Sequence, residues 1–460
     1  MTLPAEHVAA LTALVGPSAV RTPAELAARD PGVDPRNLGG ALMLRPASAA
    51  EVGRVLAYCN AARIGVVPQG GRTGLAGGAE SAPDEVILSL DRFDRIERLD
   101  PVSATAVAGA GVTLAALAAA AAAHGLAPGI DFGARASATL GGLVSTNAGG
   151  NDAFRYGTMR ERVLGLEAVL ADGSVLTALG QVRKRNEGLA VEQLLIGAEG
   201  TLGVVTRVAL ALVRADGPAA TALAAVADAA AAVALAVEVR RASALTPVAI
   251  ELMSGAHASA ACRATGAAEL AALAAAPYLV LLEVTAATAA SAADALLELV
   301  GSAGERGLVS DAVLAQNEAQ RHAIWRLRED WAIDRERPGA LWYDVSVPLA
   351  AVAAYLDGCA RRLAAHDAAL DLVVIGHLGD GNLHVTVNAA RPITERYEEI
   401  APLVTDGLAA VGGSFSAEHG IGLEKRATLA RLADPVRLAL MRRLKAALDP
   451  NGILNPGKVL

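Results

Sequence analysis

A chain of 460 residues has room for two or three domains, each with a substantial core. Its hydrophobic fraction of 53% would suit a membrane protein, but most of it is alanine. The runs Leu114–Ala123 and Ala219–Val239 lack the Leu/Ile/Phe density of a spanning helix, and Asp228 interrupts the second. A net charge of −8, with no basic cluster interleaved with aromatics, argues against a nucleic-acid partner.

The N-terminus has neither the basic segment nor the apolar run of a secretory signal, so a cytoplasmic protein without a membrane span is expected. Cys59, Cys262 and Cys359 are far apart, odd in number and outside any CxxC. They read as small core residues rather than disulfides, a zinc ribbon or an iron–sulfur ligand set.

Residues 1–40 carry a short helical pattern and Pro/Gly-rich connectors. A strand is expected in Ala41–Pro46, a helix in Ala50–Arg63 and a second strand at Val66–Pro68. Gln69–Gly78 (QGGRTGLAGG) then places five glycines in ten residues. Such a loop can cradle phosphate oxygens on backbone N–H groups, or it is simply flexible; it is neither a Walker A nor a GxGxxG sequence. Further strands are expected at Glu85–Leu90 and Ala104–Ala108, with an alanine-rich helix at Leu114–His124. A second small-residue block, Ser137–Gly150 (SATLGGLVSTNAGG), precedes Tyr156-Gly157, and Leu194–Thr206 (LLIGAEGTLGVVT) is a third. Side chains this small let the backbone lie flat against a planar ligand, and three such blocks in one strand-rich half reinforce one another.

Composition changes at Arg214–Pro218, where a domain boundary is expected. Beyond it, helices at 220–242, 288–303 and 348–366 alternate with strands at Val248–Leu252, Tyr278–Val284, Trp342–Val347 and Leu372–Ile375, an α+β pattern with an antiparallel sheet. Gln316–Glu336 reads as one helix with Ile324, Leu327 and Trp331 on its apolar face. Arg328 beside that face wants an anion, either a ligand carboxylate or an internal Asp or Glu.

Three of the eight histidines fall in Val374–Val385 (VIGHLGDGNLHV) and Phe415–Gly422 (FSAEHGIG). The first reads as a hairpin turning at Asp380-Gly381. Counting outward puts His377 opposite His384 on one face, with Cβ atoms roughly 4.5–5.5 Å apart. Such a pair is either a solvent-facing accident or a metal-binding pair, with Glu418 as an oxygen ligand and His419 as a base beside it. A helix is expected at Pro435–Ala447, before a C-terminal Asn455-Pro-Gly-Lys.

Together the blocks Pro68–Leu75, Thr139–Gly150, Arg155–Thr158, Gly197–Gly203, Gly376–His384, Ala417–Gly420 and Asn455–Lys458 resemble FAD-linked oxidases of the vanillyl-alcohol oxidase type. The nearest likeness is their D-lactate/D-2-hydroxyglutarate dehydrogenase branch, over nearly the whole chain from about residue 40. The resemblance implies an α+β fold: a two-lobed FAD-binding domain (1–215), an antiparallel-sheet substrate or cap domain (216–410) over the flavin's reactive face, and a C-terminal segment (411–460) returning to the FAD domain.

It also implies an FAD-binding set. Pro68, Arg72 and Leu75 would belong to the cofactor loop, in which Gly70, Gly71, Thr73 and Gly74 would hold the pyrophosphate through backbone amides. Ser137, Gly141, Gly142, Thr146, Asn147, Gly149, Gly150 and Gly157 would line the flavin, with Glu199, Gly200 and Gly203 along the adenosine and Asn455 over the isoalloxazine. Arg72 stands where related oxidases often carry the histidyl link, so non-covalent FAD is expected. A divalent ion, Zn²⁺ before Mn²⁺, would sit on His377, His384 and Glu418 and bind the substrate's 2-hydroxyl and carboxylate. His419 would remove the hydroxyl proton, and Arg328 would clamp the α-carboxylate.

Two positions depart from the 2-hydroxyglutarate pattern: Trp342 stands for a lysine and Thr386 for an asparagine. The loss of a cation suited to a distal carboxylate favours a monocarboxylate such as D-lactate over D-2-hydroxyglutarate as the 2-hydroxy acid. Electrons would pass to a separate acceptor (a quinone, a cytochrome or an electron-transfer flavoprotein), giving peripheral membrane association at most, and a homodimer is the default. A metal-dependent hydrolase would explain residues 372–422 but leave the glycine blocks without a role. A flavin-binding sensor would do the reverse.

Overall fold

The computed structural model describes residues 3–330 and 332–460, with Ile333 and Asp334 described by backbone alone. The chain divides into two compact units, Met1–Ala215 with Glu418–Leu460 and Asp216–Ala417. Trp331, expected on the apolar helix face, lies outside the described residues.

In the first unit, apolar runs too short for helices pair as strands. Val20–Arg21, Leu42–Leu44, Val86–Ser89 and Val66–Gln69 form one four-stranded sheet. The last three are parallel, which requires a crossover, and helix Ala49–Ala62 supplies the one between Leu44 and Val66. A second, five-stranded sheet is antiparallel, in the order Ile96–Asp100, Thr105–Gly109, Val204–Ala211, Val163–Val169, Val175–Ala178. The C-terminal tail returns to the first sheet: Leu454 bridges Val66, and Ile453 and Leu454 are buried with Leu42, Val66 and Val86.

The second glycine block is not laid out flat. Leu140–Thr146 is a helix (α1) because Leu140, Leu143 and Val144 share an apolar side that becomes buried. Gly141 is small for packing reasons, since a Cβ there would lie 2.7 Å from the Ala110 Cβ. Asn147 ends the helix in the left-handed conformation, φ +53°.

The second unit is built on one seven-stranded antiparallel sheet: β1 (Ala219–Val226), β2 (Thr246–Ser254), β3 (Tyr278–Thr285), β4 (Asp311–Leu314), β5 (Leu341–Ser346), β6 (Asp371–His377) and β7 (Asn382–Asn388). The spatial order is β4-β1-β3-β2-β6-β7-β5. The helix expected over 220–242 is wrong in its first third. Ala219–Val226 is a strand paired on both edges, and its alanines are buried on both faces. Helix begins only at Ala229, because Asp228 caps it: its Oδ1 accepts the Ala231 N–H at 2.8 Å. Tertiary burial overrules alanine's helix preference up to that cap.

One sheet face packs on the helices Ala229–Arg241, Ala289–Glu305 and Val352–His366. The other packs on α2 (Gly255–Thr265) and α3 (Glu318–Glu329). The single helix expected over 316–336 ends at Glu329, with Asp330 extended, and Ala332–Glu336 is a separate helix. Ser414 pairs with Ser346, and the Ala417 N–H donates to Asp344 Oδ2 at 3.0 Å, so this unit runs to Ala417 rather than stopping at 410. All three cysteines are buried and unpaired, and burial pushes the Cys59 thiol up to about 12.

His257 on α2 anchors the last turn of α3 through a 2.9 Å bond between its Nε2 and the Leu327 carbonyl. Burial pushes its pKa down to about 4. The unfolded residue titrates near ~6.5, so the unfolded chain binds the extra proton between those values. The stabilisation is therefore fully present above about 6.5 and is lost as pH falls toward 4. Between pH 7 and pH 5 the wild type should lose roughly 2 kcal/mol that His257→Gln does not lose. Urea unfolding at both pH values measures this, and equal losses would contradict it.

Candidate active site

The sheet face that packs on α2 and α3 carries a row of polar side chains across an otherwise apolar surface. Register puts Thr221 opposite Glu283, Glu251 opposite His377, and His384 opposite both Ile375 and Asp344. With a period of two along each strand, Glu251, His377, His384 and Asp344 all point to one face.

The hairpin register differs from the expected one. His377 pairs with Asn382 and His384 with Ile375, because Leu378–Gly381 forms a four-residue loop and only Gly381 (φ +79°) takes a left-handed conformation. The two histidines are diagonal neighbours rather than opposed. They still share a face, and their ring centroids lie 5.4 Å apart.

Each histidine has a carboxylate behind it. His377 Nδ1 lies 3.0 and 2.9 Å from Glu251 Oε1 and Oε2, and His384 Nδ1 lies 3.7 Å from Asp344 Oδ1. Asp344 is itself held by the Asn382 side-chain amide at 2.8 Å. Glu251 is 1% exposed and also accepts the Arg328 Nε–H at 2.8 Å. Burial alone would raise the Glu251 carboxyl, but the charges and hydrogen bonds of His377 and Arg328 outweigh it and hold it below the usual carboxylate range.

Arg328 thus has the internal anion that its helix face called for. Sequence reasoning missed Glu251, although a lone carboxylate inside the apolar run Val248–Met253 was a legible signal. A second buried carboxylate, Glu283, seats α3 on the sheet. It accepts Arg321 Nε and NH2 at 2.7 Å each, Trp325 Nε1 at 2.8 Å and Thr221 Oγ1 at 2.8 Å. Arg321, Trp325 and Arg328 are spaced i, i+4, i+7, one face of the helix. On β5 and β7, Trp342 and Thr386 oppose each other two residues from Asp344 and His384, so they share that face, and Trp342 is 57% exposed.

The remaining expected residues lie in the first unit. A Cβ on Gly70 would be 2.1 Å from Thr139 Oγ1, and one on Gly71 2.0 Å from the Ser137 carbonyl, so this loop lies directly on the second block. Gly74 faces open space, while Arg72 Nε and Thr139 Oγ1 are buried without a protein partner. Thr73 and Leu75 continue the loop from Pro68, which lies in strand Val66–Gln69. Gly142 is in α1, where Thr146 Oγ1 donates to its carbonyl at 3.0 Å. Asn147 Oδ1 accepts from the Thr158 hydroxyl and the Arg160 N–H, which fixes the turn after Gly157.

Glu199 (φ +50°) is buried, and its carboxylate accepts the N–H groups of Ile421 (2.7 Å) and Gly422 (2.8 Å). Burial raises its carboxyl despite those bonds. It therefore anchors the segment that carries His419. Gly200 (φ +72°) follows it, and Gly203 packs against Leu195. Asn455 Nδ2 ties the Gly78 and Glu199 carbonyls, leaving Oδ1 buried without a partner. Glu418 Oε2 accepts the Gly150 N–H at 3.1 Å, beside Gly149, and Glu418 Oε1 lies 3.9 Å from His419 Nε2.

These features fit an extended cofactor bearing phosphates: glycine backbones in close approach, an open Gly74, and buried polar atoms on Thr139, Arg72 and Asn455 that await partners. The His377 and His384 rings meet edge to face on their sheet face, their centroids 5.4 Å apart. Among the described residues, no helix is long and apolar enough to cross a membrane.

Residues 41–179 match the model of an FAD binding domain, and residues 218–459 that of the C-terminal domain of FAD linked oxidases. The chain is 37% identical over 420 residues to the mitochondrial D-2-hydroxyglutarate dehydrogenase of Arabidopsis thaliana, covering 91% of this chain and 75% of that protein. It is 36% identical to the D-2-hydroxyglutarate dehydrogenase of Xanthomonas citri pv. viticola, covering 90% and 88%. The solved structure of p-cresol methylhydroxylase with substrate bound shares the fold, with TM-score 0.75 at 17% identity over 100% of this chain and 98% of that one. So does 4-ethylphenol oxidase from Gulosibacter chungangensis, with TM-score 0.72 at 20% identity over 99% and 98%. The chain belongs to the FAD-linked oxidases of the vanillyl-alcohol oxidase type, in their D-lactate/D-2-hydroxyglutarate dehydrogenase branch, and is an FAD-dependent D-2-hydroxyacid dehydrogenase.

Proposed function

We propose that the substrate is a D-2-hydroxy monocarboxylate, D-lactate or a homologue with a larger apolar side chain, and that turnover needs a divalent ion on His377, His384 and Glu418. The observation that carries the metal reading is the pair of imidazoles 5.4 Å apart, each backed by a carboxylate. Two imidazole donors with an oxygen ligand suit zinc, and the oxygen ligand leaves manganese as a weaker-binding alternative. Bound FAD supplies the acceptor for the C2 hydride, and a bound divalent ion supplies Lewis acidity toward the 2-hydroxyl.

The chain's own residues do the rest. His419 takes the hydroxyl proton, and Arg328 holds the α-carboxylate so that C2 keeps one orientation. Gly70, Gly71, Thr73 and Gly74 hold the FAD pyrophosphate on backbone amides. Arg72 offers no nucleophile for a covalent flavin link, so FAD is bound non-covalently.

The side-chain preference rests on Trp342 and Thr386, opposed on the histidine face with no cation on either. A distal carboxylate brought there would meet no cation on either residue. D-2-hydroxyglutarate is the second reading, favoured by the names of the plant and Xanthomonas relatives. A hydrolase accounts for nothing in residues 41–179. Anaerobic flavin bleaching across D- and L-2-hydroxy acids tests the proposal. D-lactate, D-2-hydroxybutyrate or D-mandelate should bleach the flavin at least tenfold faster than D-2-hydroxyglutarate, a difference of about 1.4 kcal/mol. The reverse order would refute the monocarboxylate assignment.

A further inference from the structure

Glu251 has two claimants. Its carboxylate receives Arg328 Nε–H at 2.8 Å on Oε2, and His377 Nδ1 lies within 3.0 Å of both oxygens. It is 1% exposed, on a strand whose neighbours on the same face are apolar. An ionised carboxylate only accepts, so the ring nitrogen facing it must carry a hydrogen. In a neutral imidazole the lone pair then falls on Nε2, the nitrogen turned away from Glu251.

We propose that Glu251 is a positioning residue that sets two functional side chains with one carboxylate: it fixes His377 as the Nδ1–H tautomer, with Nε2 directed to the divalent ion, and it fixes the plane of the Arg328 guanidinium. The proposal rests on the metal reading above. Arg328 is a permanent donor and always claims an oxygen. In Glu251→Gln the amide oxygen therefore faces Arg328, and the NH2 group falls on the Oε1 side toward Nδ1. One of the two oxygens facing Nδ1 becomes a donor at nearly unchanged volume, and the tautomer bias is lost.

The test is zinc affinity of the FAD-loaded protein, by competition with a chromophoric chelator, with flavin content and thermal midpoint as controls on folding. Glu251→Gln should bind zinc roughly 10–100-fold more weakly than wild type. Equal affinities in a folded variant would overturn the proposal alone. A wild type that binds no divalent ion would overturn the metal reading and this proposal with it. A second measurement needs no variant: ¹⁵N shifts of His377 in the metal-free wild type should show a protonated Nδ1 and an unprotonated Nε2. The opposite tautomer would overturn the proposal whether or not the variant folds.

Discussion

Arg328→Met should destabilise the chain by about 3–5 kcal/mol, because it leaves the Glu251 carboxylate buried with one charge partner fewer. Methionine keeps the apolar contacts of the arginine stem, so the loss reports the charge and not the packing. Urea denaturation measures it. The double variant Arg328→Met/Glu251→Leu removes the stranded charge and should recover much of the stability. A double variant as unstable as the single one would mean that the ion pair is not the cause. Activity should behave differently: kcat/KM for any 2-hydroxy acid should stay low in both variants, since neither has a guanidinium for the carboxylate. Recovery of activity along with stability would remove Arg328 from the substrate site.

His384→Ala should lower kcat about 10³-fold, since Lewis-acid polarisation of the hydroxyl is worth several kcal/mol. Folding should change little, because the side chain is partly exposed at its strand position. Flavin content should also hold, as the glycine blocks lie in residues 68–203. Chelating the metal from wild type should reproduce the loss, and returning zinc or manganese should restore wild type but not the variant. Wild-type activity unaffected by a strong chelator would end the metal role of His377 and His384 together.

Much of the molecule was legible because its signals are local. The glycine loop of Gln69–Gly78 announces close backbone approach by composition alone, and Gly71 does lie against the Ser137 carbonyl. The hairpin histidines announce a shared face, which survives a change of register because His377 and Ile375 lie on the same side of β6. Cysteine spacing was enough to foresee three buried, unpaired thiols. The failures have a common origin. Alanine-rich Ala219–Val226 looks helical until two neighbouring strands claim its edges. Ser137–Gly150 reads only as a run of small residues until Leu140, Leu143 and Val144 find a core to enter as a helix.

The sequence by itself determined the family, the glycine-rich blocks and the short list of polar residues proposed for chemistry, since each resides in a contiguous motif. Only the tertiary structure decided which groups stand behind them. Glu251 meets His377 across 126 residues of chain and Arg328 across 77, through strand pairing and helix docking that no local pattern encodes. Glu199 reaches across 222 residues to hold the segment bearing His419. Glu251 is a single carboxylate in an apolar run, and Glu199, though inside a glycine-rich motif, carries no local sign of the segment it holds. Their meaning appears only when distant strands come into register.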